Sequence, residues 1–288
     1  MKRIFLISCL GSFFGFTQTE LQFDMYWNNY TMFNPANTGF EYKYFGSAIY
    51  RSQWTGVEGA PNNISALYST KVNKINSGVG IGYMFDKIGF NNSSRLYFNY
   101  AYHFNLDNSQ LSIGTALVVN RIKFEGLWNA PQTGTTGSLD PNIPNDYQTK
   151  LNFNFGFIYK AGNIDFGLSA TQINQPYYEK LNFSNQRNYF GYVAYNFTLT
   201  SNLSLRTMLN VKTDQVAMAA DLYTLFTLKK KYWVGLMYGI ASKYTGIQVG
   251  ADLKEKIRIG YSLNVNFLST FPNTNQITHE IVFAYLLK

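Results

Sequence analysis

Cysteine is nearly absent from this chain. Its single copy among 288 residues is Cys9, inside an apolar run from Ile4 to Phe16 that follows Lys2 and Arg3. A short apolar stretch behind a basic start, with small residues Gly15 and Thr17 before Gln18, has the build of a secretory leader, so residues 1–17 are expected to be cleaved on export. Leu6-Ile7-Ser8-Cys9 resembles a lipobox, but the run continues past Cys9 and too little precedes it, which favours ordinary cleavage. Loss of the leader removes the thiol, and with it disulfides, thiol catalysis and Cys-ligated metals. Histidine is almost as scarce: His103 and His279 are the two copies, and neither has a neighbouring serine or carboxylate in a recognisable catalytic order. Asp140-Pro141-Asn142-Ile143-Pro144-Asn145-Asp146 offers oxygen ligands without the spacing or closing glutamate of a calcium loop, and reads as a turn-rich connection. No Gly-rich phosphate loop or nucleic-acid motif is present, so no enzyme activity, cofactor or metal is expected.

Long hydrophobic runs are missing as well. After the leader, no stretch is long and apolar enough for a spanning helix, and mean hydropathy is −0.17 although 46% of residues are hydrophobic and 18% aromatic. The apolar residues are interleaved rather than massed. Leu151, Phe153, Phe155, Phe157 and Tyr159 alternate with polar or small residues, as do Leu96 to Phe104 and Ile257 to Phe267, which is the period of a strand with one apolar face. A soluble β-sandwich also alternates. Strands of about ten residues with Phe and Tyr, rather than Lys and Glu, on the outward face instead predict an all-β, transmembrane antiparallel β-barrel. Gly78, Gly80 and Gly82, alternating with Val79, Ile81 and Tyr83, suit a crowded or polar lumen.

Fourteen strands are expected, at 43–54, 61–71, 77–86, 92–105, 109–124, 149–160, 163–174, 187–199, 202–212, 215–228, 231–241, 244–253, 256–267 and 276–287. Residues 18–42 form a periplasmic or lumenal segment before the barrel of 43–288. The long connections 55–60, 125–148, 175–186 and 268–275 all join odd to even strands, whereas turns such as Ala161-Gly162, Lys229-Lys230 and Lys254-Glu255 join even to odd; this is the pattern of long outer loops and short periplasmic turns. Lysines gather at the short turns: Lys71, Lys74, Lys229, Lys230, Lys231, Lys254 and Lys256. They form either a solvated rim or a docking surface for an acidic periplasmic partner. Alternation assigns Arg95, His103, Asp165, Arg206, Lys212, Asp221, Asp252, Arg258 and Glu280 to the lumen, and the mixed signs favour an ion-pair network over a one-sign pore.

Several short motifs stand out near the two ends. Pro35 fixes the chain and Gly39 admits positive φ, so Asn34-Pro35-Ala36 through Gly39 reads as a turn that redirects the N-terminal segment into the first strand. Trp54 reads as an interfacial aromatic. His279 and Glu280 face opposite sides of the last strand, with Glu280 towards the lumen and towards Arg51 across the seam. Met32-Phe33-Asn34-Pro35-Ala36 with Gly39, Tyr50-Arg51-Ser52-Gln53-Trp54 with Gly59-Ala60-Pro61, Gly80-Ile81-Gly82 with Asp86 and Gly89, and His279-Glu280-Ile281 together resemble the PorP/SprF family of type IX secretion membrane proteins. The resemblance extends over the whole mature chain, although Leu21 to Tyr26 replaces the family's commoner Q-F-S-Q-Y opening. It implies an outer-membrane component of the Bacteroidota type IX system, concerned with export or surface anchoring of cargo such as gliding adhesins. The implied partners are the C-terminal signal domains of secreted cargo, other secretion components and the lipid bilayer, with neither nucleic acid nor a small-molecule substrate. A passive outer-membrane channel for small solutes is the alternative.

Overall fold

The computed structural model describes residues 23–57, 59–125, 145–240, 243–266 and 277–288. Residues 1–22, which include the expected leader, and residues 126–144, including most of the Asp140 to Asp146 stretch, lie outside the described residues. The strands in chain order are β1 (Tyr44–Ser52), β2 (Asn62–Val72), β3 (Ser77–Ile88), β4 (Asn91–Leu106), β5 (Ser109–Phe124), β6 (Tyr147–Ala161) and β7 (Ile164–Thr171); the two-residue β8 (Tyr177–Tyr178) and β9 (Phe183–Ser184); and β10 (Asn188–Thr198), β11 (Leu203–Thr213), β12 (Met218–Leu228), β13 (Tyr232–Gly239), β14 (Tyr244–Leu253), β15 (Ile257–Asn266) and β16 (Ile277–Leu287). All but β8 and β9 form one closed antiparallel barrel of 14 strands, with β7 against β10 and β1 against β16. Closure leaves no unpaired sheet edge, which a strand protein in hydrocarbon requires because no water is there to satisfy backbone groups.

Side-chain alternation fixes which face is which. Along β6, Leu151, Phe153 and Phe155 are 52%, 48% and 49% exposed, while Asn152 and Asn154 between them are 2% and 3% exposed. Large apolar side chains on the outside and buried amides on the inside make a lipid-facing barrel, not a sandwich. Two strand ends fall three residues short of the expected ranges, for local reasons. β7 stops at Thr171 because Gln172 turns at φ 56 and donates its N–H to Asn154 Oδ1 at 3.0 Å. β12 begins at Met218 rather than 215 because Asp214 Oδ1 accepts from the N–H groups of Val216 and Ala217, at 3.1 and 2.8 Å, closing a local side-chain turn.

The two rims differ. Connections 73–76, 107–108, 162–163, 199–202, 229–231 and 254–256 make one rim of tight turns. Lys229 and Lys230 have φ 53 and 54, and Lys254 and Glu255 have φ 51 and 55; paired positive φ belongs to type I′ hairpins, which usually take Asn or Gly. The opposite rim carries the long connections. One of them folds back as the β8–β9 hairpin, burying Tyr178 and Leu181 against Ile122 and Phe124.

The barrel interior is filled by the chain's own residues 23–42. Phe23, Met25, Tyr26, Met32, Phe33 and Ala36 are each no more than 3% exposed. Each such side chain contributes about 1.5–3 kcal/mol relative to exposure, alanine much less. The segment is coiled into three 3-10 turns, Tyr26–Asn28, Tyr30–Met32 and Pro35–Asn37. The third begins with Asn34, whose side-chain oxygen accepts from Ala36 N–H at 3.0 Å ahead of Pro35, the residue types suited to a helical start.

Candidate functional site

Residues 23–42 make one circuit of the inner wall, and each stretch meets a surface suited to it. Asp24 and Met25 donate their backbone N–H groups to Glu280 Oε2 and Oε1, both at 2.7 Å. Glu280 is wholly buried on β16 and stands in register with Arg51 of β1, its carboxylate 3.7 Å from Arg51 Nε. Arg51 also binds the Asp24 carboxylate at 3.3 Å, which accepts further bonds from Ser262 and Asn264. Gln248 donates to the Asp24 carbonyl at 2.8 Å. A buried carboxylate persists only when paired and hydrogen-bonded; here barrel closure and the threaded segment share the same charges.

From Tyr26 to Phe33 the contacts are aromatic. Tyr26 lies 4.7 Å from Tyr223, Trp27 5.2 Å from Trp233, Tyr30 4.9 Å from Tyr192 and Phe33 5.4 Å from Phe190, all between ring centroids. These separations suit tilted or edge-on pairs. Lumenal ion pairs brace the wall beneath them: Arg206 to Asp165 at 2.7 Å and Arg258 to Asp252 at 2.6 Å.

From Asn34 to Gly39 the contacts are with backbone, and the wall glycines make room for them. Asn34 donates its amide to the carbonyls of Phe157 and Leu168 at 3.1 and 3.2 Å, bridging β6 and β7. A Cβ at Gly156 would collide with that Asn34 amide, one at Gly114 with the backbone of Pro35 and Ala36, and one at Gly78 with the Thr38 carbonyl. Gly39 has φ +66, and a Cβ there would stand 2.9 Å from the Thr70 carbonyl. Asn34-Pro35-Ala36 to Gly39 is therefore more than a redirecting turn: it docks the segment on the far wall.

Ser112 adds a clamp, donating its hydroxyl to the Ala36 carbonyl at 2.6 Å while His103 Nδ1 lies 3.0 Å from Ser112 Oγ. Sequence order does not reveal this Ser–His contact, because the two residues meet only across the β4–β5 ladder. With its proton committed to Ala36, Ser112 holds the segment, and it is fully buried beneath it.

The remaining motif residues are spread out. Tyr50 is exposed on the lipid side, its hydroxyl 3.3 Å from Asn62 Oδ1. Gln53 sits beside Arg51, and its N–H donates to the carbonyl of Pro61, which is buried. Trp54 takes φ 47 at the long-loop rim, and His279 faces outward, its Nδ1 2.6 Å from Tyr261 Oη. Only Arg51 and Glu280 of this group join Asn34, Pro35, Ala36 and Gly39 in the lumen.

Charge divides between the rims. At the long-loop rim, lysines are paired: Lys150 to Glu179 at 2.9 Å, Lys123 to Glu125 at 3.2 Å and Lys180 to Asp146 at 3.6 Å. Hydrogen bonds from Lys150, the backbone and Gln148 hold the Glu179 carboxyl down at about 2. The short-turn rim carries Lys71, Lys74, Lys229, Lys230, Lys231, Lys254 and Lys256, joined by Lys43, Lys160 and Lys288, against Asp107, Glu255 and Glu41. None of these lysines makes an ion pair among the described residues. Above this rim a cavity of about 200 Å³ remains below the threaded segment, between Tyr26, Trp27, Tyr42, Phe45, Leu225 and Arg258 among others. No group of three or more metal-ligating side chains occurs among the described residues.

A family model for type IX secretion system membrane protein PorP/SprF matches residues 15–285. The chain belongs to the PorP/SprF family. It is an outer-membrane β-barrel of the type IX secretion system. In fold, this PorP/SprF protein is similar to the toluene transporter TbuX of Ralstonia pickettii, with TM-score 0.55 and 12% identity over 90% of this chain and 93% of that one. It is also similar to the outer membrane protein Omp33 of Acinetobacter baumannii, with TM-score 0.52 and 7% identity over 87% and 100%. No curated protein matches the chain.

Proposed function

We propose that this PorP/SprF barrel is a protein-binding platform that receives one class of exported cargo at the outer membrane and anchors it at the cell surface. Its partners in this reading are the C-terminal signal domains of cargo such as gliding adhesins, together with other secretion components, and its setting is the Bacteroidota cell envelope. The observation that carries the reading is the lumen: a barrel threaded by its own residues 23–42, held through Glu280 and Asn34, has its interior committed to structure. The outward surfaces then do the binding. The long-loop rim faces outside and the short-turn rim the periplasm, as short turns do in bacterial barrels. Epitope tags at Gly134 or Asn182 are therefore expected to be reachable on intact cells, and tags at Asn108 or Gly162 hidden.

Deletion of the protein is expected to remove specific adhesins from the surface without altering general permeability. If the adhesins stay attached while uptake of a small solute falls, the barrel is a passive channel and the platform reading is wrong.

A further inference from the structure

The cavity below the threaded segment and the lysines of the short-turn rim occupy the same sector of the barrel. Phe45 and Arg258 lie one residue inside the short-turn ends of β1 and β15, and Leu225 of β12 faces the same space. The strands that wall this side, β12 to β15, are joined by the turns carrying Lys229, Lys230, Lys231, Lys254 and Lys256, all of them exposed. Within the cavity the two guanidinium groups are already committed to Asp165 and Asp252, and Arg258 lies over the Trp27 ring at 4.5 Å. What the cavity offers a visitor is a wall mostly of aromatic and apolar side chains, with Glu41, Asn37 and Gln248 as its polar points; what the rim offers is an excess of lysines over the carboxylate of Glu255.

We propose that the cavity and these lysines form a receptor for an acidic segment of a periplasmic protein. One large apolar side chain of that segment enters the cavity, and its flanking carboxylates meet the lysines. Charge complementarity selects this occupant: exposed lysines that outnumber the carboxylates of their rim steer an anionic partner, while a concave, largely aromatic pocket accepts an anchoring side chain. A lipid surface would engage the turns but has no single side chain to place among lumenal residues such as Tyr26, Tyr223 and Leu225. The proposal rests on the platform reading, in which the short-turn rim faces the periplasm.

The test uses the full chain in non-ionic detergent and fluorescence anisotropy with three short labelled peptides: one rich in Asp and Glu with a central Trp, the same peptide with Ser for Trp, and a Lys-rich version with Trp. The acidic Trp peptide is expected to bind, the Ser version at least about tenfold more weakly, and the basic version not at all. Leu225→Trp, which fills the cavity, should bring the acidic Trp peptide down to the Ser level and leave the Ser peptide unchanged; Leu225→Phe serves if the larger variant loses heat-modifiable migration on gels. Reversing Lys229, Lys230 and Lys231 to Glu should weaken both acidic peptides. Equal binding of the Trp and Ser peptides, or indifference to Leu225→Trp, overturns the proposal. So does binding of phosphatidylglycerol vesicles with no peptide bound, which assigns the rim to lipid. Retention of adhesins by a deletion strain defeats the platform reading instead, whatever the peptides do.

Discussion

The two halves of the lumen hold the same segment by opposite means. On the side of β10 to β16 and β1, the wall reaches out with long side chains: Glu280, Arg51 and Gln248 take the backbone and carboxylate of Asp24, and tyrosines and tryptophans pack against Tyr26 to Phe33. On the side of β3 to β7, the wall withdraws, with Gly78, Gly114 and Gly156 letting the backbone of Asn34 to Thr38 lie against the sheet. One half depends on buried charge, and removing a partner there strands groups that cannot reach water. The other depends on absent side chains, and adding one has nowhere to go.

The largest effect is expected from Glu280→Ala. It leaves the Asp24 and Met25 N–H groups without their acceptor and takes from Arg51 one of its two carboxylate neighbours, a loss of about 3–5 kcal/mol by analogy with other broken buried pairs. Thr31, 1% exposed in the middle of the segment, provides the readout: a Thr31→Cys reporter in a Cys9→Ser background should resist maleimide in the parent and label in the Glu280→Ala variant. Gly114→Val should cost about 1–3 kcal/mol, read as a lower urea midpoint of the detergent-purified barrel, because the atoms it meets are backbone. Gly82→Ala separates crowding against backbone from crowding against a flexible chain. Its Cβ would stand 2.8 Å from Met32 Cε, which can rotate away, so a change under about 1 kcal/mol is expected. A penalty at Gly82 equal to that at Gly114 would erase the distinction between crowding against backbone and crowding against a flexible side chain.

The smallest effect lies outside both walls. Glu179 is held at about 2 chiefly by Lys150. A carboxyl depressed on folding contributes above its ordinary titration range and loses that contribution as pH falls through its folded value. Protease protection of the β8–β9 hairpin should thus be flat near neutrality and decline as pH drops below about 4 towards 2, while Thr31→Cys labelling stays unchanged over the upper part of that window.

Most of the barrel was legible because a period of two is visible without any partner in view. Leu151 to Tyr159 declares a lipid face whatever strand lies next to it, and the short and long connections set the count. Arg51 and Glu280 were legible as a lumenal pair, since alternation points both inward and closure brings the first and last strands together. The role of Glu280 as acceptor for Asp24 and Met25 was not, because it depends on a contact across 255 residues with a segment that has no periodicity. The glycines of β3, β5 and β6 were visible as a crowded lumen, but what crowds it was hidden: the segment reads as polar and aromatic chain with turn residues, and only its fit to the wall identifies Asn34 to Gly39 as a docking element. The lysine rim was plain in the sequence. The cavity above it was not, since its lining comes from strands far apart in the chain.

The central claim is that residues 23–42 fill the barrel, and single-channel recording of the purified protein in planar bilayers tests it most directly. The parent protein is expected to show no steady open level, with Glu280→Ala producing intermittent openings as the segment loosens. A stable open conductance in the parent, unchanged by Glu280→Ala, would mean that the segment does not occlude the lumen and would contradict the account.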